Sequence, residues 1–208
     1  MTETSAFGER SLSPTQKRGG PTSLVLVRHA ATPWTRSQQH TGRTDVPLDK
    51  AGREQAIALG PRLQAYGATA VLSSPLSRAL ETCRLAGLGE HVEVTDLLLE
   101  WDYGDYEGRT TAEVHEERPG WSLFHDGSPR GELAADVGRR VDLLLAELAS
   151  RPDGGVAVLF AHGHLLRVVA ARWVGLEPEA GAFFVLGAPS ISELGFERER
   201  HVIQHWNT

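Results

Sequence analysis

The sequence is poor in several residue types, and each scarcity excludes a class of protein. Among its 208 residues there is one cysteine, Cys83, so neither an intramolecular disulfide nor a multi-cysteine metal cluster can form. The only lysines are Lys17 and Lys50, and neither follows the glycine pattern of a P-loop. No Gly-x-Ser-x-Gly string of a serine hydrolase occurs. An anion site in this chain must therefore be built from arginine and histidine.

Charge and hydropathy argue against two further kinds of partner. A net charge of -6 and a pI near 5.8 are not those of a nucleic-acid binder or a polybasic membrane-surface protein. No apolar run approaches the roughly 20 residues that a membrane-spanning helix needs. Residues 1–22 are polar and lack the apolar core of a signal peptide. We therefore expect a flexible leader over 1–22, a single domain over 23–208 and a cytoplasmic location, with neither nucleic acid nor membrane as a partner.

Short apolar runs alternate with helical patterns along the chain. We predict strands over 23–27, 70–73, 92–98, 156–160, 182–186 and 191–196, with an edge strand over 202–206. We predict helices over 50–66, 75–86, 110–117, 132–149 and 164–174, the first of them kinked or shortened by Pro61. This order predicts an α/β fold, a three-layer sandwich with a largely parallel central sheet and helices on both faces.

Reactive side chains follow the first four apolar runs. In open α/β sheets, ligands bind outside the carboxyl ends of the strands. If the four strands are parallel, we expect five side chains to converge on one crevice at that edge of the sheet: Arg28, His29, Arg78, Glu100 and His162.

These groups suit phosphoryl transfer. Two guanidiniums present paired N–H donors that match phosphate geometry, and a histidine beside them can accept the phosphoryl group. A carboxylic acid can protonate the leaving oxygen and then deprotonate a water. Arg28 and Arg78 should also lower the pKa of His29, which would keep this imidazole neutral in mild acid. The residues therefore predict a two-step phosphoryl transfer.

Other interpretations of single residues are weaker. A metal site of His29, His162 and His164 is disfavoured because Arg28 and Arg78 would repel the cation. We expect Trp101 to pack under its loop, and Ser73 and Ser74 to cap the following helix. The remaining histidines are predicted to be loop or surface residues: His40, His91, His115, His125, His201 and His205.

Five motifs resemble, in family order, those of the histidine phosphatase superfamily, in the branch that contains cofactor-dependent phosphoglycerate mutase. The resemblance extends over about residues 24–196. In the first motif, Ala30 replaces the usual glycine. The motifs are Leu26-Val-Arg-His-Ala30, Thr41-Gly-Arg-Thr-Asp-Val-Pro-Leu48, Ser73-Ser-Pro-Leu-Ser-Arg-Ala79, Glu100-Trp-Asp-Tyr-Gly-Asp-Tyr-Glu-Gly108 and Ala161-His-Gly-His164.

The resemblance implies a role for each matching residue. His29 would be the nucleophile that becomes phosphohistidine, and Glu100 would be the general acid and base. Arg28, Arg78 and His162 would hold the phosphate, without a metal or a cofactor. Six residues would lie by the substrate: Thr35 (where the family has asparagine), Thr41, Gly42, Tyr103, Gly163 and His164.

Departures from the family pattern narrow the expected function. Mutases of this family carry a longer segment after the acid loop, with a lysine and paired arginines, whereas residues 109–131 are short and have neither. The chain more closely resembles the branch's acid phosphatases and sedoheptulose-bisphosphatase-like enzymes. We therefore expect a metal-independent phosphatase acting on small phosphorylated metabolites such as sugar phosphates, with a homodimer left open.

Two alternatives remain at this stage. One is a cofactor-dependent phosphoglycerate mutase. The other is a non-catalytic phosphate-binding regulatory protein, although the presence of both His29 and Glu100 favours an enzyme.

Overall fold

The computed structural model describes residues 20–152 and 154–208, so residues 1–19 of the predicted leader lie outside the described residues. One six-stranded sheet has the order β3-β2-β4-β1-β5-β6. Strands β1 to β4 run parallel to one another. Strand β5 pairs antiparallel with β1, and β6 pairs antiparallel with β5 at the edge of the sheet. The strands are β1 (Ser23–Arg28), β2 (Ala70–Ser73), β3 (Glu93–Val94), β4 (Val156–Ala161), β5 (Ser190–Glu197) and β6 (Arg200–His205).

Helices connect the strands and cover both faces of the sheet. They are α1 (Pro33–Ser37), α2 (Lys50–Gln64), α3 (Ser77–Leu85), α4 (Thr111–Glu117), α5 (Leu123–Asp126), α6 (Ala134–Ala149) and α7 (Gly163–Trp173). Short 3₁₀ turns lie at Asp96–Leu98, Gly104–Tyr106 and Pro178–Phe183. Helix α2 passes through Pro61 and ends at Gln64, so the proline does not end the helix. Among the described residues, no helix has both the length and the apolarity to cross a membrane.

Alternation along the central strands builds the two cores. In β1, Leu24 and Leu26 pack on the side of α6 and α7, while Val25 and Val27 pack on the side of α2 and α3. All four side chains are essentially inaccessible to solvent. A parallel strand buried on both faces has this continuous apolar sequence, and the predicted three-layer α/β sandwich is confirmed.

The predicted strand over 182–186 is wrong. The chain there forms the 3₁₀ turn Pro178–Phe183 and then runs on without a strand partner. Its carbonyls bind arginines instead of a neighbouring strand: Arg167 donates to Gly181 and Ala182, and Arg28 donates to Leu186. The apolar composition predicted burial in a sheet, yet Phe183 is 86% exposed.

The predicted strand over 92–98 is also too long. Only Glu93 and Val94 pair with β2, and the chain then turns, with Thr95 accepting the Leu97 N–H. The Arg140 guanidinium binds the carbonyls of Leu97 and Leu99. This turn delivers the chain to the crevice, so Glu100 is placed by a loop and not by a strand end.

Candidate active site

The carboxyl ends of β1, β2 and β4 meet at one edge of the sheet, as predicted. A polar cavity of about 310 Å³ opens there. It is lined by Arg28, His29, Trp34, Thr35, Gln38, Gln39, His40, Thr41, Glu100, Tyr103, Thr111 and His164. Seven of the predicted site residues are among them, whereas Arg78, His162, Gly42 and Gly163 are not.

His29 is the buried imidazole at the end of β1, with only 4% of its surface exposed. Its Nδ1 lies 2.8 Å from the Ala30 carbonyl oxygen, which can only accept, so Nδ1 carries the proton and Nε2 keeps its lone pair. Burial, and next the charges of Arg78 and Arg28, hold the pKa of His29 well below 6.5. The predicted direction is confirmed, but burial contributes more than the guanidiniums. The ring is therefore neutral at physiological pH, the form in which an imidazole can act as a nucleophile.

Arg28 reaches the cavity beside the start of α7. Its Nη1 donates to the Leu186 carbonyl, while its buried Nε has no hydrogen-bond partner among the described residues. A Cβ atom on Gly163 would lie 3.0 Å from the Arg28 guanidinium carbon, so glycine there leaves room for the cation. Burial lowers the pKa of Arg28, but a guanidinium stays charged in proteins. Arg28 can therefore offer a free N–H donor to an oxyanion.

Arg78 and His162 form a fully buried pair behind His29. Arg78 Nε donates to Nδ1 of His162 at 3.2 Å, which leaves the His162 proton on Nε2, 2.8 Å from Ser74 Oγ. The rings of His29 and His162 are 5.2 Å apart. Burial, followed by the charge of Arg78, holds the pKa of His162 well below its usual value. The pair thus places one positive charge and one neutral ring beside His29.

The Glu100 carboxylate lies at the amino end of α7. Its Oε1 accepts the N–H of Leu165 at 2.9 Å and its Oε2 accepts that of His164 at 3.1 Å, two donors that the helix itself cannot satisfy. A third donor, the Trp101 N–H, lies 2.9 Å from Oε1. These contacts fix a carboxyl group on the wall of the same cavity as His29, where it can exchange protons with a bound molecule.

Tyr103 and His164 form a second polar pair in the wall. Tyr103 Oη lies 2.6 Å from Nδ1 of His164. Burial and then Glu100 raise the pKa of Tyr103 well above 10, while burial and then Arg167 lower that of His164. The phenol therefore donates, and the His164 proton remains on Nε2.

The other predicted contact residues have structural partners of their own. Thr35 lines the cavity, but its hydroxyl donates to the Thr32 carbonyl in the capping box of α1. Thr41 lines the cavity and its hydroxyl donates to the carbonyl of Gln39. Gly42 lies behind the wall, where its carbonyl accepts from Arg78 Nη2 at 2.9 Å.

Several residues of the cavity wall were not predicted. His40 lies in a loop, as predicted, but it is not a surface residue, because it is 8% exposed and stacks on Tyr103. Ser74 contacts His162 in addition to accepting the Leu76 N–H at 3.4 Å, and Ser73 donates to the Ser74 carbonyl and caps no helix. The remaining residues are Trp34, Gln38, Gln39 and Thr111. The available signal was their position in sequence: Trp34, Gln38 and Gln39 lie between the motif residues His29 and Thr41, and Thr111 follows the motif that ends at Gly108.

No cluster of three or more histidine, cysteine or carboxylate side chains is placed to hold a metal ion in residues 20–152 and 154–208. His162 uses both ring nitrogens on Arg78 and Ser74, and His164 uses Nδ1 on Tyr103. These rings are therefore engaged in hydrogen bonds that a metal would have to replace.

The chain is similar to several known proteins. The family model of the histidine phosphatase superfamily (branch 1) matches residues 24–208. An acid phosphatase of Mycobacterium tuberculosis is 40% identical over 176 residues, covering 84% of this chain and 86% of the relative. A sedoheptulose 1,7-bisphosphatase of Saccharomyces cerevisiae is 35% identical, covering 73% and 67%. A probable phosphoglycerate mutase of Salmonella paratyphi C is 30% identical, covering 88% and 89%.

The chain is similar to solved structures as well. The structure of an open reading frame product from Mycobacterium tuberculosis superposes with a TM-score of 0.85 at 37% identity, covering 89% of this chain and 96% of that one. The chain belongs to the histidine phosphatase superfamily, branch 1. The family and its phosphatase relatives show, more particularly, that it is an enzyme, a phosphoric monoester hydrolase.

Proposed function

We propose that this enzyme hydrolyses small phosphomonoesters through a phosphohistidine on His29. In the first step, the Nε2 lone pair attacks phosphorus, the P–O bond to the substrate breaks, and Glu100 protonates the leaving oxygen. In the second step, a water attacks phosphorus while Glu100 takes its proton, the P–N bond breaks, and orthophosphate leaves. The observation that carries the proposal is a neutral, buried imidazole with a free Nε2 beside Arg28 and Arg78.

Charge stabilisation is assigned to the groups around His29. Arg28 would bind phosphoryl oxygens directly, since its buried Nε lacks another partner among the described residues. Arg78 and His162 would act from behind the nucleophile, where low polarity strengthens their effect on the charge that develops in the transition state. The second wall pair, Tyr103 and His164, would offer the His164 Nε2 proton to the substrate.

The cavity favours hydrolysis over mutase chemistry. Arg28 is the only arginine or lysine among the residues that line it. A phosphoglycerate carries a carboxylate besides its phosphate, and the lining residues that the structure describes include no second arginine or lysine to hold it. We therefore propose a phosphorylated metabolite with an uncharged remainder, such as a sugar monophosphate, as substrate. We also propose a cytoplasmic enzyme that needs no metal, other cofactor, nucleic acid or membrane; a homodimer stays a prediction.

Leaving-group dependence tests the assigned roles. Wild-type protein in excess chelator should hydrolyse both p-nitrophenyl phosphate and sugar monophosphates, and His29→Ala should abolish both activities. Glu100→Gln should lose about a hundredfold in kcat/KM on sugar phosphates but far less in kcat/KM on p-nitrophenyl phosphate, because kcat/KM reports the first step and nitrophenolate leaves without a proton. His125→Ala, at an exposed histidine, is the control. Activity that survives in His29→Ala, or that needs an added divalent ion, would reject the proposal.

A substrate panel tests the substrate class. Sugar monophosphates should give higher kcat/KM than the corresponding bisphosphates and 3-phosphoglycerate. Transfer of phosphate between phosphoglycerate positions faster than release of orthophosphate would favour the mutase alternative instead.

A further inference from the structure

Glu107 is a half-buried carboxylate to which the mechanism above gives no role. It lies seven residues after Glu100, in the loop that closes one side of the cavity. Its Oε1 accepts the Gly42 N–H at 2.9 Å and the Thr44 N–H at 3.1 Å, and its Oε2 is 3.1 Å from the same Gly42 nitrogen. One carboxylate therefore binds two backbone N–H groups of the facing segment, residues 41–44.

The same segment holds Arg78 from its other side. Arg78 Nη2 donates to the carbonyls of Thr41 and Gly42, both at 2.9 Å, and Nη1 donates to that of Thr44 at 3.0 Å. Two N–H groups of this segment, those of Gly42 and Thr44, thus bind a carboxylate, while three of its carbonyls bind a guanidinium.

The close packing around Gly42 requires a residue without a side chain at this position. A Cβ atom on Gly42 would lie 2.5 Å from the Trp101 carbonyl oxygen and 2.6 Å from Oε2 of Glu107, so any side chain there would displace the carboxylate. Backbone hydrogen bonds join the two loops as well: His40 N–H to Arg109 O and Gly108 N–H to His40 O, both 2.8 Å.

The indirect connection preserves the charge of Arg78. Within the described part of the chain, Arg78 forms no ion pair with a carboxylate within contact distance, and neutral carbonyls fix its guanidinium without neutralising it. A carboxylate bound directly to Arg78 would offset the positive charge that the guanidinium contributes behind His29.

We propose that Glu107 is a positioning residue, which fixes segment 41–44 so that its carbonyls hold the Arg78 guanidinium behind His29, where its positive charge stabilises the phosphoryl group. The inference rests on the role proposed above for Arg78 in phosphoryl transfer. Glu107 acts through hydrogen bonds of its oxygens, so a residue that keeps an acceptor oxygen at this place preserves the function.

Kinetics of paired variants test the inference. Glu107→Ala should lower kcat/KM about tenfold to a hundredfold, because small displacements of a charge-stabilising group are costly, and should raise both KM and the inhibition constant of orthophosphate. Glu107→Gln, whose amide oxygen can accept the same N–H groups, should stay within about threefold of wild type. Glu117→Ala is the matched control, since Glu117 pairs with Arg109 and lacks contact with 41–44.

A double-mutant cycle excludes a purely structural effect. In an Arg78→Lys background, Glu107→Ala should cost little further activity, because the two changes remove one function. An equal loss in both backgrounds, or a loss of kcat with unchanged KM and orthophosphate inhibition, would overturn the inference. So would a fully active Glu107→Ala.

Orthophosphate binding separates this inference from the proposed reaction. Calorimetry with inorganic phosphate needs no turnover, so it reads the Arg78 site even if no ester is hydrolysed. Wild type and Glu107→Gln should bind orthophosphate more tightly than Glu107→Ala. If Glu107→Ala does not fold, Gly42→Ala should show the same weakened binding, and unchanged binding in the folded variant would reject the role of Glu107.

Discussion

His29 combines two properties that oppose each other in water. A nucleophilic imidazole must be neutral, yet the phosphoryl group it attacks needs positive charge beside it. Here Nδ1 keeps its proton and donates it in a hydrogen bond to the Ala30 carbonyl, and burial together with two guanidiniums disfavours a second proton on the ring. The same cations that would stabilise the transferred phosphoryl group therefore also help to keep the His29 imidazole neutral.

The pH profile should reflect this protection of His29. Because its pKa lies well below 6.5, protonation of the nucleophile should not reduce kcat/KM between pH 7.5 and about 6. The measurement is kcat/KM for p-nitrophenyl phosphate across this range, corrected for ionisation of the substrate. A fall with a midpoint near the ordinary histidine value would show that the imidazole is not protected.

Strand-end residues could be predicted from the sequence, and residues recruited across the fold could not. Arg28, His29 and His162 follow apolar runs whose parallel pairing brings their ends together. Glu107 and Ser74 gain their significance from partners 65 and 88 residues away. A local pattern carries no information about such pairings.

The helix that carries Arg78 depends on a residue from a distant loop. Helix α3 has no side-chain cap of its own at Leu76. Asp45 replaces it, accepting both the backbone N–H and the hydroxyl of Ser77 at 2.8 Å. The residue after Ser77 is Arg78, so this contact fixes the start of the helix directly beside the buried guanidinium.

Removing that contact should affect both stability and the site. Asp45→Ala should lower the free energy of unfolding by about 1 kcal/mol, as for a lost N-cap, and should raise KM several-fold. Asp49→Ala is the matched control, because Asp49 caps α2 through Gly52, and that helix carries no site residue. It should lose similar stability with KM unchanged. Equal KM values in the two variants, measured beside urea unfolding, would deny α3 this role.

Element prediction failed where arginine side chains replace strand pairing. The apolar runs near 92–98 and 182–186 have the composition of buried strands. Arg140 binds carbonyls of the first, and Arg167 and Arg28 bind those of the second. These tertiary contacts satisfy the backbone without a sheet, and composition alone does not reveal them. The ranges of the central parallel strands β1, β2 and β4, by contrast, agree closely with those that their apolar patterns predicted.

At the scale of the whole molecule, three histidines at the cavity or behind its wall are kept neutral by their surroundings. The pKa values of His29, His162 and His164 are all held well below 6.5, with burial as the largest cause and arginine charges next. Below pH 6.5 the unfolded chain binds protons at these rings while the folded chain does not. Their stability contribution is therefore complete above about pH 6.5 and is lost as the pH falls towards the folded pKa values.

Acid should consequently destabilise the protein earlier than carboxylate protonation would. Each such histidine adds at most about 1.4 kcal/mol per pH unit to the slope below pH 6.5. Urea unfolding of wild type at pH 7.5, 6.5 and 5.5 should show the loss, and His164→Asn should reduce the slope. His125→Asn, at an exposed ring, should leave it unchanged. A wild-type stability that is flat down to pH 5.5 would mean that these rings are protonated in the folded state.

The covalent intermediate is the central claim, and trapping it is the most direct test. Wild-type protein mixed with p-nitrophenyl phosphate, quenched in alkali within milliseconds and digested, should yield one phosphorylated peptide. The account predicts that the phosphate sits on His29 and that acid removes it. It also predicts that Glu100→Gln accumulates more phosphohistidine than wild type with this substrate, because nitrophenolate leaves without a proton whereas the water of the second step has lost its base. Phosphate on Ser74 or Cys83, or product release without any phosphorylated peptide in a protein that turns over, would contradict the mechanism.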